Sequence, residues 1–176
     1  MGPRLILFYR KMVELGLTLL THTGNGHSFT QARDVLCDPD RLRLPLSQGV
    51  TVIAAHAATT GRFDGECSVD RLAQLLPLHP NLCADLSSLT QLNKPGDPGA
   101  VLRRPEFRHR LLYGTDYPLI GIGALVSPWH FPGQLSFSQM QAGAGLTYPW
   151  DRDVALKQAL GVTAEVWTRA DGLPAW

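Results

Sequence analysis

The chain has 176 residues, of which 44% are hydrophobic and 18% charged, and its formal net charge is +1. This length and composition predict one globular domain and exclude a disordered chain or a coiled coil. The sequence contains neither a basic block that would favour nucleic acid nor the roughly 18 consecutive apolar residues that span a bilayer. Three scattered cysteines argue against a disulfide framework. The N-terminal segment shows no small-residue cleavage site of a signal peptide, so we expect a cytoplasmic protein. We also expect that it binds neither nucleic acid nor membrane.

Four apolar segments predict buried strands of the kind that parallel sheets contain. In chain order they are LTLLTH, which ends at His22; GVTVIAAH, which ends at His56; NLCADLS, with Asp85 near its end; and RLLYGTD, which ends at Asp116. These polar ends follow one another at intervals of about 30 residues, the size of a βαβ unit.

Helical patterns fill the intervals between the predicted strands. PRLILFYRKMVELG places Leu5, Phe8, Met12 and Leu15 on one face, and SVDRLAQLLPLHP begins at a candidate N-cap, Ser68. Shorter or weaker helices are predicted in DPDRLRLPLSQG, in DPGAVLRRPEFRHR, in PWDRDVALKQALG and in TAEVWTRADG. Residues 119–148, rich in Gly, Ser and Pro, show no clear periodicity and predict a long segment after the last strand that is either a functional loop or partly disordered.

The order α-(βα)4 predicts an α/β fold with a parallel sheet. Ligands of such sheets bind beyond the carboxyl ends of the strands. His22, His56 and Asp116 lie at those ends, and their side chains are of the types that ligate divalent metals. Each residue alone has a plainer interpretation, because a histidine at a strand end is often only hydrogen-bonded and an aspartate is often a helix N-cap.

The segments GLTLLTHTG, GVTVIAAHAAT, HPNLCADLSSLT and RLLYGTDYP resemble the last four strand segments of the amidohydrolase superfamily, the metal-dependent hydrolases of TIM-barrel fold. The resemblance runs from about residue 5 to residue 170. It implies a partial (β/α)8 TIM barrel, a half-barrel made of strands five to eight with their helices. Residues 1–176 would then form a single domain.

The resemblance also implies roles for the strand-end residues. His22 would bind metal, His56 would bind metal or act on the substrate, and Asp116 would bind metal and take the proton of the attacking water. The cofactor would be one divalent ion, zinc or manganese. The reaction would be hydrolysis of a C–N or C–O bond in a small molecule; decarboxylation of a small carboxylic acid is the alternative, since the same three residues serve both.

The chain departs from the family pattern because it contains no His-x-His motif, which the family carries on its first strand. A complete barrel takes about 250 residues. We therefore expect a truncated protein or one partner of a split enzyme, and a non-catalytic half-barrel acting as an interaction module is the alternative. Four strands of an open barrel predict two exposed edges and an open inner face, which favour a homo-oligomer or pairing with a missing N-terminal half.

Overall fold

Six strands occur in the part of the chain that the structure describes, residues 3–25, 33–92 and 98–173 of a computed structural model. They are β1 (Leu19–His22), β2 (Val52–Ala55), β3 (Arg62–Phe63), β4 (Glu66–Cys67), β5 (Leu82–Asp85) and β6 (Leu111–Leu112). Four of them form one sheet in the order β1-β2-β5-β6, and every neighbouring pair is parallel. The parallel α/β sheet predicted from the sequence is confirmed. The antiparallel β3–β4 hairpin was not predicted.

Seven α-helices lie in the same described ranges. They are α1 (Pro3–Glu14), α2 (Arg43–Ser47), α3 (Ser68–Leu75), α4 (Pro98–Arg103), α5 (Phe137–Ala144), α6 (Pro149–Ala159) and α7 (Ala164–Thr168). Within these ranges, no helix combines the length and the apolar character needed to cross a membrane.

The main core lies between the helices and one face of the sheet. Strand side chains alternate between the two faces, and the helix-covered face presents Val52, Ala54, Leu82 and Ala84, all with 0% exposure. On the opposite face Ile53, Cys83 and Leu112 are also buried, and Leu173 packs against them. The expectation of an open inner face is therefore wrong for the central and last strands, although Leu20 of β1 stays 55% exposed.

The outer edge of β6 is covered by the C-terminal helical segment. The amide of Tyr113 donates to the Val166 carbonyl at 3.2 Å, and the guanidinium of Arg169 donates to the Leu111 carbonyl at 2.6 Å. Of the two edges predicted to be exposed, this one is satisfied by hydrogen bonds within the chain. On the outer side of β1, by contrast, no described strand is paired.

Two helix predictions fail in detail. In α1, Met12 is buried, but Leu5, Phe8 and Leu15 are 41%, 56% and 59% exposed, so the predicted apolar face is only partly the packing face. Ser68 is the first residue of α3 and not its cap, and its hydroxyl has no hydrogen-bond partner in the described structure. Helical periodicity identifies an apolar stripe, but it does not say which side of that stripe meets the sheet.

Residues 119–148 are more ordered than their composition predicted. Ser136 and Gln139 form a capping box that starts α5. Val126, Phe131 and Leu135 are buried together with Leu156 of α6 in a second apolar cluster. The segment therefore folds as a small helical layer on α6.

A buried ion pair connects α6 to the strand ends. Lys157 and Asp153 are 1% and 0% exposed, and the ammonium nitrogen lies 2.7 Å from the carboxylate. The same ammonium donates to the Gly114 carbonyl at 2.7 Å, and the hydroxyls of Thr90 and Tyr113 donate to Asp153. Burial lowers the pKa of Lys157, while the neighbouring carboxylates, first of all Asp153, act in the opposite direction.

We predict that Lys157→Met lowers the free energy of unfolding by about 3–5 kcal/mol, because it leaves the Asp153 carboxylate buried without its counter-ion. Asp153→Asn combined with Lys157→Met should recover much of this loss, since the buried charge is then gone. Urea denaturation followed by circular dichroism measures both variants. Lys11→Met, which breaks the exposed Lys11–Glu14 pair, is the matched control and should change stability by less than about 1 kcal/mol.

Candidate functional site

Polar side chains meet at the carboxyl edge of the sheet. His22 is the last residue of β1, His56 directly follows β2, and Asp85 is the last residue of β5. The strand predicted to end at Asp116 ends at Leu112, so Asp116 lies four residues beyond β6. Because His22 is level with Ala55, and Asp85 with Leu112, the four strand ends lie side by side as the sequence predicted.

The His56 ring is held in place by the loop that follows β5. Its Nδ1 lies 2.8 Å from the Ser87 hydroxyl and 2.7 Å from the Ser88 hydroxyl. The residue is only 8% exposed, and its backbone has a left-handed φ of 63°. Such a φ is uncommon for a non-glycine residue and persists where surrounding contacts fix it. The loop after β5 therefore fixes the orientation of the His56 ring through Nδ1.

His22 and His56 are in direct contact. Their ring centroids are 4.8 Å apart and the rings cross at 68°, an edge-to-face arrangement. His22 is exposed on the edge strand, whereas His56 is buried. The two strand-end histidines are therefore neighbours in the fold, and their shared role in a site stays a prediction.

Asp85 organises the space between His56 and β6. Its Oδ1 accepts hydrogen bonds from the His56 amide at 2.9 Å and from the Ser87 amide at 3.0 Å, and the Ser87 hydroxyl also donates to it. Gly114 lies against this carboxylate, and a Cβ there would stand 3.1 Å from Asp85 Cγ. A side chain at this position would therefore require Asp85 and Ser87 to shift by a few tenths of an ångström.

Asp116 is held by a different residue of the same loop. Its Oδ2 accepts a hydrogen bond from Gln91 Nε2 at 2.9 Å, and its φ of 61° is again left-handed. Gln91 is 3% exposed, and its Oε1 has no partner in the described structure. A buried amide oxygen without a donor is costly, so this oxygen is available to a donor group of a ligand.

The sequence analysis missed Ser87, Ser88 and Gln91, which contact the two proposed catalytic residues. All three lie in the polar run that follows the NLCADL segment. Hydroxyl and amide residues directly after a buried strand were a visible signal, but their contacts depend on loop conformation and not on spacing.

The described residues do not by themselves provide a metal site. No group of three or more His, Cys, Asp or Glu side chains within residues 3–25, 33–92 and 98–173 is placed to hold a metal ion. His22 and His56 supply two imidazoles, but structural zinc sites use four ligands and catalytic sites use three plus water. The His22, His56 and Asp116 ligand set therefore stays a prediction.

No family model matches the chain, and no curated protein matches it. Among solved structures, its fold is similar to the Pseudomonas putida protein named "Putative 2-Pyrone-4,6-Dicarboxylic Acid Hydrolase", with a TM-score of 0.54 and 17% identity. The match covers 96% of this chain and 53% of that one, so the chain spans about half the length of its neighbour. The neighbour has a TIM-barrel type fold, and the four parallel strands agree with part of such a barrel.

We predict that the chain alone binds zinc weakly, because two imidazoles hold the ion less firmly than three or four ligands. After incubation with excess zinc and dialysis, elemental analysis should find clearly less than one zinc per chain. Competition with a chromophoric chelator should show residual binding that His22→Gln abolishes and His79→Gln, at the opposite end of the sheet, preserves. One zinc per chain retained through dialysis would contradict the prediction.

Proposed function

We propose that this chain is part of a hydrolase acting on a small-molecule substrate at the carboxyl edge of the sheet, with His56 and Asp116 as its catalytic residues. The observation that carries the proposal is that one loop, residues 85–91, holds both side chains. Its serines contact the His56 ring, and its glutamine donates to Asp116. Such support from neighbouring polar side chains is what keeps catalytic groups in one orientation.

The two residues differ in the chemistry they offer. Asp116 is half-buried and acts as the general base that takes a proton from the attacking water. His56 acts on the substrate oxygen. The Ser87 carbonyl lies 3.2 Å from Nδ1 and can only accept, so a proton on Nδ1 satisfies it. In the doubly protonated ring the second proton is on Nε2, which donates to a carbonyl oxygen as negative charge develops there.

Gln91 completes the proposed site as a positioning and binding residue. Its amide nitrogen donates to Oδ2 of Asp116 and so fixes the orientation of that carboxylate. Its own unpaired Oε1 can accept a hydrogen bond from a substrate hydroxyl or acid group.

The neighbour's name suggests where a substrate search should begin. That protein is named for hydrolysis of 2-pyrone-4,6-dicarboxylic acid. Cyclic esters and related carboxylic acids are therefore the first compounds to test. A zinc or manganese ion is part of this proposal only if ligands beyond the described residues complete the site, and none of the roles above passes through a metal.

We expect the chain to hydrolyse at least one member of a panel of lactones, esters and amides that begins with 2-pyrone-4,6-dicarboxylate. His56→Asn and Asp116→Asn should each lower kcat/KM about 100-fold or more, since each removes one proton-transfer group. Asparagine is chosen because it tolerates the left-handed backbone at both positions.

His79→Gln is the matched control for this experiment and should leave kcat/KM unchanged. Product analysis by mass spectrometry identifies the reaction. Release of carbon dioxide in place of a hydrolysis product would assign the site to decarboxylation. Equal activity in all variants, or no turnover of any compound, would refute the assignment of these residues.

We further predict that Gln91→Leu lowers kcat about 10-fold or more, because a hydrogen bond to a charged group contributes about 1.5–3 kcal/mol. Steady-state kinetics on the substrate found above separates the effects on kcat and KM. Gln74→Leu removes an exposed amide that donates to Glu66 and serves as the control. A change in thermal stability with unaltered kcat would mean that Gln91 has only a structural role.

A further inference from the structure

We propose that Arg71 of α3 is a positioning residue of the candidate site, because it ties together the segments that follow β1 and β2 and so holds His22 against His56. His22 is the last residue of β1 and His56 is the first residue after β2, and their rings are in contact. Where it concerns catalysis, this inference rests on the proposed function.

Arg71 is a buried cation with several oxygen partners. The residue is 9% exposed, and its guanidinium donates to the carboxylates of Asp38 at 2.8 Å, Asp64 at 3.0 Å and Glu66 at 3.1 Å. It also donates to the Phe63 carbonyl at 2.7 Å. The planar fork of an arginine directs its donors to several acceptors at once, which the compact ammonium of a lysine does less well.

The partners of Arg71 belong to two loops that are far apart in the sequence. Asp38 lies between β1 and α2, whereas the other three partners lie in the β3–β4 hairpin that follows β2. Arg71 itself is anchored to the sheet, because Leu72 and Leu75 of the same helix are 0% exposed in the main core. One guanidinium therefore joins both loops to the core.

The Asp38 side of this junction reaches the turn that follows His22. One oxygen of Asp38 accepts from the Asp40 amide at 3.1 Å, while the other binds the guanidinium, so the carboxylate is held at both oxygens. The carbonyl of the preceding residue, Cys37, accepts a hydrogen bond from the Gly24 amide at 3.0 Å. Fixing Asp38 thus fixes the backbone that holds Gly24.

The hairpin side of the junction reaches the same turn. The Thr60 carbonyl, just before β3, accepts a hydrogen bond from the Asn25 amide at 2.9 Å. Gly24 packs so closely on Thr60 that a Cβ there would lie 2.7 Å from this carbonyl oxygen, and its φ of 88° is left-handed. Two separate contacts therefore hold the turn after His22, and both lead back to Arg71.

The segment that joins His56 to the hairpin has an uncommon backbone conformation. His56, Ala57 and Ala58 have left-handed φ values of 63°, 48° and 51°. Such a run of non-glycine residues persists only where surrounding contacts fix it. Asp85 accepts from the His56 amide at one end, and the Arg71 junction holds the hairpin at the other. We therefore expect that loss of the guanidinium lets this segment and the turn after β1 relax, which separates the two imidazoles.

Nuclear magnetic resonance of the intact chain, without added metal, tests the proposal. A nuclear Overhauser effect between the ring protons of His22 and His56 should be present in the parent chain, since the ring centroids lie 4.8 Å apart. In Arg71→Met it should be lost or clearly weakened, because three carboxylates then face one another without their counter-ion. Arg71→Lys should restore part of it, since lysine keeps the charge but not the fork. Circular dichroism verifies that each variant stays folded.

Arg104→Met is the matched control. Arg104 donates to Asp70 of α3 at 2.6 Å, so this variant breaks an ion pair of the same helix outside the two loops and should keep the parent's Overhauser effect. Should Arg71→Met fail to fold, Asp38→Asn takes its place, because asparagine is an equally good cap and removes only the charge. An unchanged Overhauser effect in the variant that folds would overturn the proposal. So would its absence from the parent chain, or an equal loss in the control.

Turnover separates this inference from the proposed function. On a substrate found in the panel of lactones, esters and amides, Arg71→Met should lower kcat by about 10- to 100-fold, because a misplacement of about 1 Å can have an effect of that size. Arg104→Met should leave kcat unchanged. A lowered kcat with an unchanged Overhauser effect would overturn the positioning role. A weakened Overhauser effect with unaltered kcat would support the role of Arg71 and refute a catalytic role for His56.

Discussion

Most of the candidate site depends on how one buried carboxylate is satisfied. Asp85 ends β5 with 7% exposure, and a carboxylate at that depth must receive hydrogen bonds and a compensating charge. One of its oxygens accepts from the amides of His56 and Ser87 and from the Ser87 hydroxyl. These bonds join the turn after β2 to the turn after β5. The left-handed backbone of His56 persists because this carboxylate holds its amide.

A second buried charge lies on the other side of the strand ends. Lys157 donates to the carbonyl of Gly114 and pairs with Asp153, and the carboxylates of Asp85 and Asp116 also favour its charged form. The ammonium group thus holds the segment between β6 and Asp116 through the Gly114 carbonyl. A buried pair of this kind adds little stability over an apolar pair, but removing one partner is costly. It therefore serves better to fix the orientation of α6 than to strengthen the fold.

The sequence was sufficient to predict the strands, because apolar runs at regular intervals have few alternatives to a parallel sheet. It also predicted that His22 and His56 lie together, since parallel strands end at one edge. It could not predict the partners of these side chains. Ser88 has a φ of 54° and Asp116 a φ of 61°, and contacts made from such backbone conformations do not follow from residue spacing. The four-residue spacing of Asp153 and Lys157 did not predict that their ion pair is buried, because most oppositely charged pairs at this spacing lie on the exposed face of a helix.

The covered edge of β6 was the least predictable feature, since it depends on contacts made by the chain's last helical segment. That segment bonds to the backbone of β6 through Val166 and Arg169, far away in sequence. The sequence of an apolar strand does not indicate whether the backbone groups on its outer edge are hydrogen-bonded to another part of the chain. The same limitation applied to α1, where the packing side depends on where α2 lies.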